Sequence, residues 1–256
     1  MRDHVMITGS AGRLGRAAVR ALVAAGEPVV GYDLRPTPGL PPEQSIVGGL
    51  DDVAALGQTM AGAKCLVHLA ATPDDAPGPD GQGDNFLNDL VPNNVVGPYR
   101  VMDAAWRHHV SQVILASTGQ LYDGYLRGEE LPVRPDALPR PRYLYACTKV
   151  FLEALGQVYS TKHGLTVVAL RLGWCPRNAG QVAEIRASEL AQDVYLSPGD
   201  AGRFFTAAVR AKGLPKFSVM NVTSRFTHRE RYDLSETTRL TGWAPTEQWD
   251  TGALEG

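Results

Sequence analysis

The stretch Val5-Met6-Ile7-Thr8-Gly9-Ser10-Ala11-Gly12-Arg13-Leu14-Gly15 decides the fold that we predict for this chain. Its first four residues follow a strand pattern, and an alanine-rich helical pattern begins within its last residues. Glycines at positions 9, 12 and 15 allow a tight turn, close approach of a phosphate and close packing of the helix. The helix N-terminus offers partly positive N–H groups to an anion. We therefore predict a dinucleotide site in which Gly9, Gly12, Arg13, Leu14 and Gly15 contact the cofactor.

Asp33 ends the next predicted strand, about 20 residues after the turn. A carboxylate there can accept hydrogen bonds from both hydroxyls of the adenosine ribose, and it would repel a 2′-phosphate. The cofactor predicted from these residues is NAD. Arg35 keeps NADP open as an alternative, because a nearby cation could accommodate the extra phosphate. The other alternative is a chance cluster among the 27 glycines, followed by a solvated aspartate.

Short apolar runs alternate with helical patterns along the chain, which is typical of parallel strands joined by crossover helices. We predict an α/β fold, a Rossmann-type doubly wound parallel sheet with a small discontinuous C-terminal substrate lobe. Residues 1–256 would form one domain, with about 1–165 mainly binding NAD and the lobe mainly from about 172–256. The predicted strands are 4–8, 28–33, 45–47, 64–70, 112–117, 165–171 and 217–222. The predicted helices are 13–26, 52–60, 86–108, 143–163, 199–212 and 234–241.

Prolines predict irregular backbone structure in two segments of the chain. Pro92 interrupts the helix predicted over 86–108, so we expect a kink or a late start there. Residues 73–84 combine proline, glycine and aspartate, and they predict a mobile surface loop.

The composition limits the kind of partner. The 256 residues carry a formal net charge of -2, which gives no electrostatic case for nucleic acid or an anionic membrane. Cys65, Cys147 and Cys175 are widely spaced and have no neighbouring histidine at metal-ligand spacing, so we expect reduced thiols and no metal. No export signal and no membrane-spanning apolar run is visible. We expect a cytoplasmic protein that binds a small molecule.

Tyr145 and Lys149 are four residues apart in a helical pattern, hence on one face. A tyrosine with the reference pKa of about 10 is a poor base, and a neighbouring ammonium favours the phenolate. The phenolate can then take a proton from a substrate hydroxyl. Ser117 and Thr118 close a strand, at the edge where open α/β sheets bind ligands. The alternatives are an exposed Tyr–Lys pair and a threonine that merely caps its strand.

Taken together, these motifs resemble the extended short-chain dehydrogenase/reductase family, also called the NAD-dependent epimerase/dehydratase family. The resemblance rests on Thr8 to Gly15, Asp33, His68-Leu69-Ala70-Ala71, Asn94-Val95-Val96-Gly97, Thr118 with Tyr122, and Tyr145 with Lys149. It implies that Tyr145 is the acid/base, that Lys149 lowers its pKa and holds the nicotinamide ribose, and that Thr118 is the electrophilic hydroxyl.

The same resemblance assigns further residues. It implies that Leu69, Ala70 and Ala71 lie beside the nicotinamide ribose and that Asn94 supports the active-site helix. The chain departs from the family at Gly49, where an aspartate usually contacts adenine. Leu50, which follows, can still pack on the adenine.

Within the family the chain is most similar to uronate dehydrogenases, in Asp33 to Pro36, in Arg171 to Gly173 and in Leu240 to Pro245. Arg171 could pair with a substrate carboxylate, or it could lock a loop by pairing with a protein aspartate. Thr72 and Gln120 are assigned to the substrate with Thr118 and Tyr145. Uronate dehydrogenases place Asn-His where this chain has Gly119-Gln120, and this departure leaves a substrate other than a hexuronate open.

Three functions remain open at this point. The first is a dehydrogenase that acts on a sugar acid or related carbohydrate and releases NADH. The second is a sugar epimerase or dehydratase with tightly held NAD, and the third is a non-catalytic NAD-binding regulator. The family also implies a homodimer or higher homo-oligomer through the helices 86–108 and 143–163.

Overall fold

Seven strands form the centre of the computed structural model, which describes residues 3–73, 85–126, 128 and 130–253. The strands are β1 (His4–Thr8), β2 (Val29–Asp33), β3 (Ser45–Val47), β4 (Ala63–His68), β5 (Gln112–Thr118), β6 (Thr166–Leu172) and β7 (Phe217–Val222). Neighbouring strands are all parallel, in the order β3-β2-β1-β4-β5-β6-β7. The chain reverses its direction of winding between β1 and β4, so a ligand is expected at the carboxyl ends beside them. The prediction of a doubly wound parallel sheet is confirmed.

Helices cover both faces of this sheet. The helices of the described residues are α1 (Arg13–Ala24), α2 (Val53–Met60), α3 (Gly97–Arg107), α4 (Leu144–His163), α5 (Ala179–Arg186), α6 (Glu189–Asp193), α7 (Pro198–Arg210) and α8 (Ser235–Thr241). One core lies between the sheet and α1 with α7, and the second lies between the sheet and α2, α3 and α4. The helix predicted over 13–26 ends at Ala24. α4 ends at His163 and is capped by Gly164, which has φ 74° and adopts this left-handed conformation without strain.

Pro92 changes the helix that precedes α3. Residues Phe86–Leu90 and Pro92–Val96 form wide π-helical turns, and regular α-helix begins only at Gly97. Because proline lacks an N–H and clashes with the preceding turn, a regular α-helix cannot run through it. The irregular start predicted at Pro92 is therefore present. Of the loop predicted over 73–84, residues 74–84 lie outside the described residues.

Two small apolar clusters lie outside the main cores. The first contains Tyr122, Tyr125, Leu126, Val133, Val194 and Tyr232. The second contains Val182, Ile185, Ala191, Tyr195 and Ala253. Both draw mainly on segments after β5, whereas β7 and α7 belong to the sheet and its covering layer. No helix in the described part of the chain combines the length and apolar character needed to cross a membrane.

Candidate active site

A cleft of about 1300 Å³ opens along the carboxyl ends of the strands. Its lining includes most of the residues that the sequence predicts for cofactor and substrate: Gly9, Gly12, Arg13, Leu14, Gly15, Asp33, Leu50, Leu69, Ala70, Ala71, Thr72, Thr118, Gln120, Tyr145 and Lys149. Asn94 and Arg171 do not line the cleft.

The glycine turn fits a dinucleotide. Gly9 has φ 70°, and a Cβ there would lie 2.6 Å from the backbone nitrogen of Ala70. A Cβ on Gly15 would overlap the carbonyl oxygen of Gly9. Gly12 is the N-cap of α1 and provides no side-chain cap, which leaves the N–H groups of the first helical turn open to an anion. The residues present therefore fit the pyrophosphate of a dinucleotide.

Arg13 lies at the edge of this turn and is only partly buried. Its Nη2 donates to the carbonyl oxygens of Gly252 and Ala253, at 3.0 and 3.1 Å. Its Nε is buried and has no hydrogen-bond partner in the described structure. The C-terminal segment thus holds the Arg13 side chain against the lining of the cleft.

The Asp33 carboxylate is fixed by two backbone groups. Its Oδ2 accepts from the N–H of Ala11 at 3.0 Å, and its Oδ1 accepts from the N–H of Arg35 at 3.1 Å. Each carboxylate oxygen has a second lone pair to offer to a ligand hydroxyl. The end of β2 therefore presents an oriented acceptor beside the glycine turn.

His68 anchors the segment that runs from β4 into the cleft. Its Nδ1 lies 2.7 Å from Oγ1 of Thr8, which joins the ends of β4 and β1. Burial lowers the pKa of His68 to about 3, and the nearby Lys149 charge acts in the same direction. The imidazole is therefore neutral, and it fixes the backbone that leads to Leu69 and Ala70.

Asn94 fixes the backbone of Thr72, which follows Ala71 in the same segment. Its Oδ1 accepts from the N–H of Thr72 and its Nδ2 donates to the carbonyl of Thr72, both at 2.8 Å. Asn93 adds a bond from Nδ2 to Oγ1 of Thr72 at 3.0 Å. The Asn94 amide is 1% exposed and positions Thr72 rather than facing the cleft, and its support of the active-site helix stays a prediction.

Thr118 and Ser117 direct their hydroxyls to different partners. Ser117 Oγ donates to Oε1 of Glu153 at 2.6 Å, inside the protein. Thr118 lines the cleft, and its Oγ1 accepts from the N–H of Gln120 at 3.2 Å. Because that contact uses a lone pair, the hydroxyl proton of Thr118 can still be donated to a ligand. The cap role and the donor role weighed for Thr118 are therefore compatible.

Tyr145 and Lys149 lie on the first turns of α4, as their spacing predicts. Lys149 Nζ is 5.5 Å from the centre of the Tyr145 ring and donates to the carbonyl of Ala116 at 2.9 Å. Lys149 is 4% exposed, and burial lowers its pKa to about 8. The arrangement brings a phenol, a nearby amine and the Thr118 hydroxyl together at the end of β5.

The expectation that Arg171 binds a substrate carboxylate is corrected by its position. Its Nε and Nη2 donate to the two carboxylate oxygens of Glu153, at 3.0 and 2.9 Å. Its Nη1 donates to the Tyr122 hydroxyl at 2.8 Å and to the carbonyls of Pro135 and Ala137 at 3.3 and 3.1 Å. Burial alone would lower the pKa of Arg171, but Glu153 outweighs this effect and raises it. The guanidinium locks the loop before α4, as the alternative interpretation held, with a glutamate as the partner.

Residues that follow β6 form the far end of the cleft, and the sequence motifs do not identify them. They are Trp174, Cys175, Arg177, Gln181, Glu184, Leu190 and Ala191. The side chain of Asn178 accepts from the N–H of Gln181 and begins α5, and Ser188 begins α6 in the same way. These two capping residues were the sequence signal from which α5 and α6 could have been predicted. Among the described residues, no three His, Cys, Asp or Glu side chains are grouped as a metal site would require.

Comparison with known proteins agrees with this geometry. Residues 5–174 match the model of the NAD dependent epimerase/dehydratase family. The chain belongs to this family.

Two curated relatives extend the match. An L-arabinose 1-dehydrogenase (NAD(P)(+)) of Haloferax volcanii is 33% identical over 95% of this chain and 96% of that protein. A uronate dehydrogenase of Agrobacterium fabrum is 30% identical over 67% of this chain and 61% of its own length. The crystal structure of uronate dehydrogenase from Agrobacterium tumefaciens has the same fold, with a TM-score of 0.74 and 24% identity over 96% of this chain and 85% of that chain. The chain is an NAD-dependent dehydrogenase of the short-chain dehydrogenase/reductase type.

Proposed function

We propose that this dehydrogenase oxidises the anomeric carbon of a free aldose to a lactone, with NAD as the acceptor. The observation that carries the proposal is the grouping of Thr118, Tyr145 and Lys149 at the open end of β5. The L-arabinose 1-dehydrogenase named above, which matches along nearly the whole chain, supports a neutral sugar. Asp123 and Glu184 line the cleft together with Arg177, and because these carboxylates outnumber that guanidinium they disfavour an anionic substrate.

The residues have distinct roles in this proposal. Thr118 donates a hydrogen bond to the reacting oxygen, and Tyr145 takes the proton of the substrate hydroxyl. The Lys149 ammonium favours the phenolate form of Tyr145 and contacts the nicotinamide ribose. Bound NAD supplies the acceptor for the hydride that leaves the same carbon. Thr72 and Gln120 hold other hydroxyls of the sugar.

We infer that the cofactor extends along the cleft from β5 to β3. Gly9, Gly12, Gly15 and the backbone of Arg13 and Leu14 hold the pyrophosphate. Asp33 accepts from the adenosine ribose and disfavours a 2′-phosphate, Leu50 packs on the adenine, and the segment 69–71 lies against the nicotinamide ribose. We also infer that the segments after β6, about 172–256, supply most of the substrate lobe.

A matched series of sugars tests the substrate. L-arabinose, D-galactose and D-galacturonate share the configuration of their pyranose rings and differ only in the group on C5, which is hydrogen, hydroxymethyl or carboxylate. We expect kcat/KM for NAD reduction with a neutral member to exceed that with galacturonate by about 10-fold or more, because the carboxylate would meet Asp123 and Glu184. NADH formation is followed at 340 nm, with NADP as the parallel acceptor.

The opposite order would favour the second candidate, a sugar-acid dehydrogenase. The match to uronate dehydrogenase over 67% of this chain and the presence of Arg177 in the lining support that candidate. Interconversion of sugar isomers without net NADH would instead identify an epimerase or dehydratase with tightly held NAD. An intact NAD complex that turns over no carbohydrate would identify a non-catalytic regulator.

We further propose a homodimer through α3 and α4. Leu144, Phe151 and Val158 are spaced by seven residues along α4 and are 40%, 37% and 52% exposed. On the adjacent α3, Tyr99 and Trp106 repeat the spacing and are 52% and 36% exposed. These five residues form an apolar stripe that a second copy of the chain can bury.

Phe151→Glu is expected to separate the dimer. Light scattering after gel filtration should give twice the chain mass of 27.6 kDa for the wild type and one chain mass for the variant. Removing a central aromatic anchor weakens an interface by about 30-fold or more. Leu138→Glu, at a residue that is 78% exposed and outside both helices, is the matched control and should stay dimeric. A monomeric wild type would contradict the interface.

The three cysteines agree with a reducing compartment. All are free thiols, and burial raises the pKa of Cys65 to about 12 and that of Cys175 to about 11. Burial therefore keeps these two thiols protonated and unreactive. We propose a cytoplasmic location on this ground.

A further inference from the structure

One end of the cleft lies at the edge of the sheet, beside residues 48–51. Asp33 at the end of β2 pairs in register with Val47 at the end of β3. β3 is the edge strand on the side away from β5, where Lys149 and Thr118 lie. Since Asp33 is placed to hold the adenosine ribose, the base must lie beyond it. Gly48, Gly49, Leu50 and Asp51 line the cleft there.

Gly49 leaves space that the Asp51 side chain occupies. A Cβ on Gly49 would overlap Oδ1 of Asp51 and lie 3.5 Å from its Cγ. The Asp51 carboxylate thus folds back over Gly49 into the place that a side chain at position 49 would fill. The backbone under it is fixed, because the Tyr32 hydroxyl donates to the carbonyl of Gly49 at 2.8 Å.

The two neighbouring aspartates have different roles. Asp52 accepts from the N–H of Ala55 at 2.9 Å, which caps α2, and it does not line the cleft. Asp51 is exposed and lines the cleft, and among the described residues no group donates a hydrogen bond to its carboxylate. An ionised carboxylate at the base end of the cleft accepts hydrogen bonds and donates none.

We propose that Asp51 accepts a hydrogen bond from the exocyclic amino group of adenine and so selects an adenine dinucleotide. Because position 49 is a glycine, it leaves room for the Asp51 carboxylate. Asp51 then makes the adenine contact that an aspartate at position 49 makes elsewhere in the family. A hypoxanthine base replaces the amino group with a carbonyl oxygen. That oxygen would face the carboxylate without a proton between them, so the site should reject it.

The test compares two dinucleotides and does not need the sugar substrate. Isothermal titration at fixed salt gives the Kd of NAD and of nicotinamide hypoxanthine dinucleotide for the wild type, Asp51→Asn and Asp52→Asn. We expect the wild type to bind NAD at least ~10-fold more tightly than the hypoxanthine analogue. Asp51→Asn should reduce this ratio to ~3-fold or less, because an asparagine amide can also donate to the carbonyl. Asp52→Asn removes the same charge and should keep the wild-type ratio.

A rescue variant adds a second criterion. The double variant Asp51→Ser, Gly49→Asp carries its carboxylate on residue 49 and places it where the Asp51 carboxylate lies in the wild type. It should restore the preference for NAD. An unchanged ratio in Asp51→Asn would overturn the proposal, and so would an equal loss of affinity for both dinucleotides. Because the proposal rests on the NAD site and not on the sugar, a wild type that binds NAD but oxidises no aldose would leave its test unaffected.

Discussion

Tyr145→Phe is expected to lower kcat by about 10²- to 10⁴-fold, the range typical of losing a positioned acid/base group. The substitution removes one oxygen and keeps the ring, whose centre lies 5.5 Å from Nζ of Lys149. Without the phenol, no side chain at this position can take the proton from the substrate hydroxyl. The Thr118 hydroxyl and the NAD site are untouched, so the Kd of NAD should stay within about 2-fold.

Steady-state NADH formation and titration of NAD into the variant measure the two quantities separately. Tyr159→Phe makes the same chemical change fourteen residues later in α4, at a buried residue outside the cleft, and should turn over like the wild type. A Tyr145→Phe variant with wild-type kcat would show that another group accepts the proton. A parallel loss of NAD affinity would show that the hydroxyl serves binding instead.

The sheet was predictable because its signals are local. Each strand is a short apolar run, and β1 with its glycine turn and α1 occupies consecutive residues, so the pattern and the structure agree within one or two residues. Tyr145 and Lys149 were predictable for the same reason, since a four-residue spacing on a helix needs no tertiary information. The two short helices α5 and α6 were missed because α5 has no distinct apolar face and α6 has only five residues.

Arg171 illustrates what local patterns cannot decide. Its strand and its position near the end of that strand were predicted within one residue, yet its partner depends on which side chain covers that face of the sheet. Ser117, Arg171 and Asn221 are neighbours in register across β5, β6 and β7, and α4 brings Glu153 over them. No spacing pattern in the sequence predicts that Glu153 pairs with Arg171. Asp51 was missed because only the backbone path around Gly49 turns its side chain into the cleft.

The Glu153–Arg171 pair predicts the largest effect on stability. The two side chains are 10% and 4% exposed, and the carboxylate binds two guanidinium nitrogens and the Ser117 hydroxyl. Glu153→Leu would leave the Arg171 charge buried without its counter-ion, which costs about 3–5 kcal/mol in the free energy of unfolding. The double variant Glu153→Leu, Arg171→Met removes both charges and should cost clearly less than the sum of the single variants.

Urea unfolding of the protein without ligands gives these free energies from the midpoint and the slope. Asp136→Asn is the matched control, because Asp136 and Arg134 form an ion pair whose side chains are about 70% exposed, and its loss should leave the midpoint unchanged. Additive single variants would contradict a coupled buried pair. Because Arg171 also bonds the Tyr122 hydroxyl and the carbonyls of Pro135 and Ala137, the double variant should regain only part of the stability lost in Glu153→Leu and should still have a raised KM for the sugar. This combination of results separates the two roles of Arg171. Its charge pair with Glu153 stabilises the fold, whereas the loop that it holds leads into Tyr145.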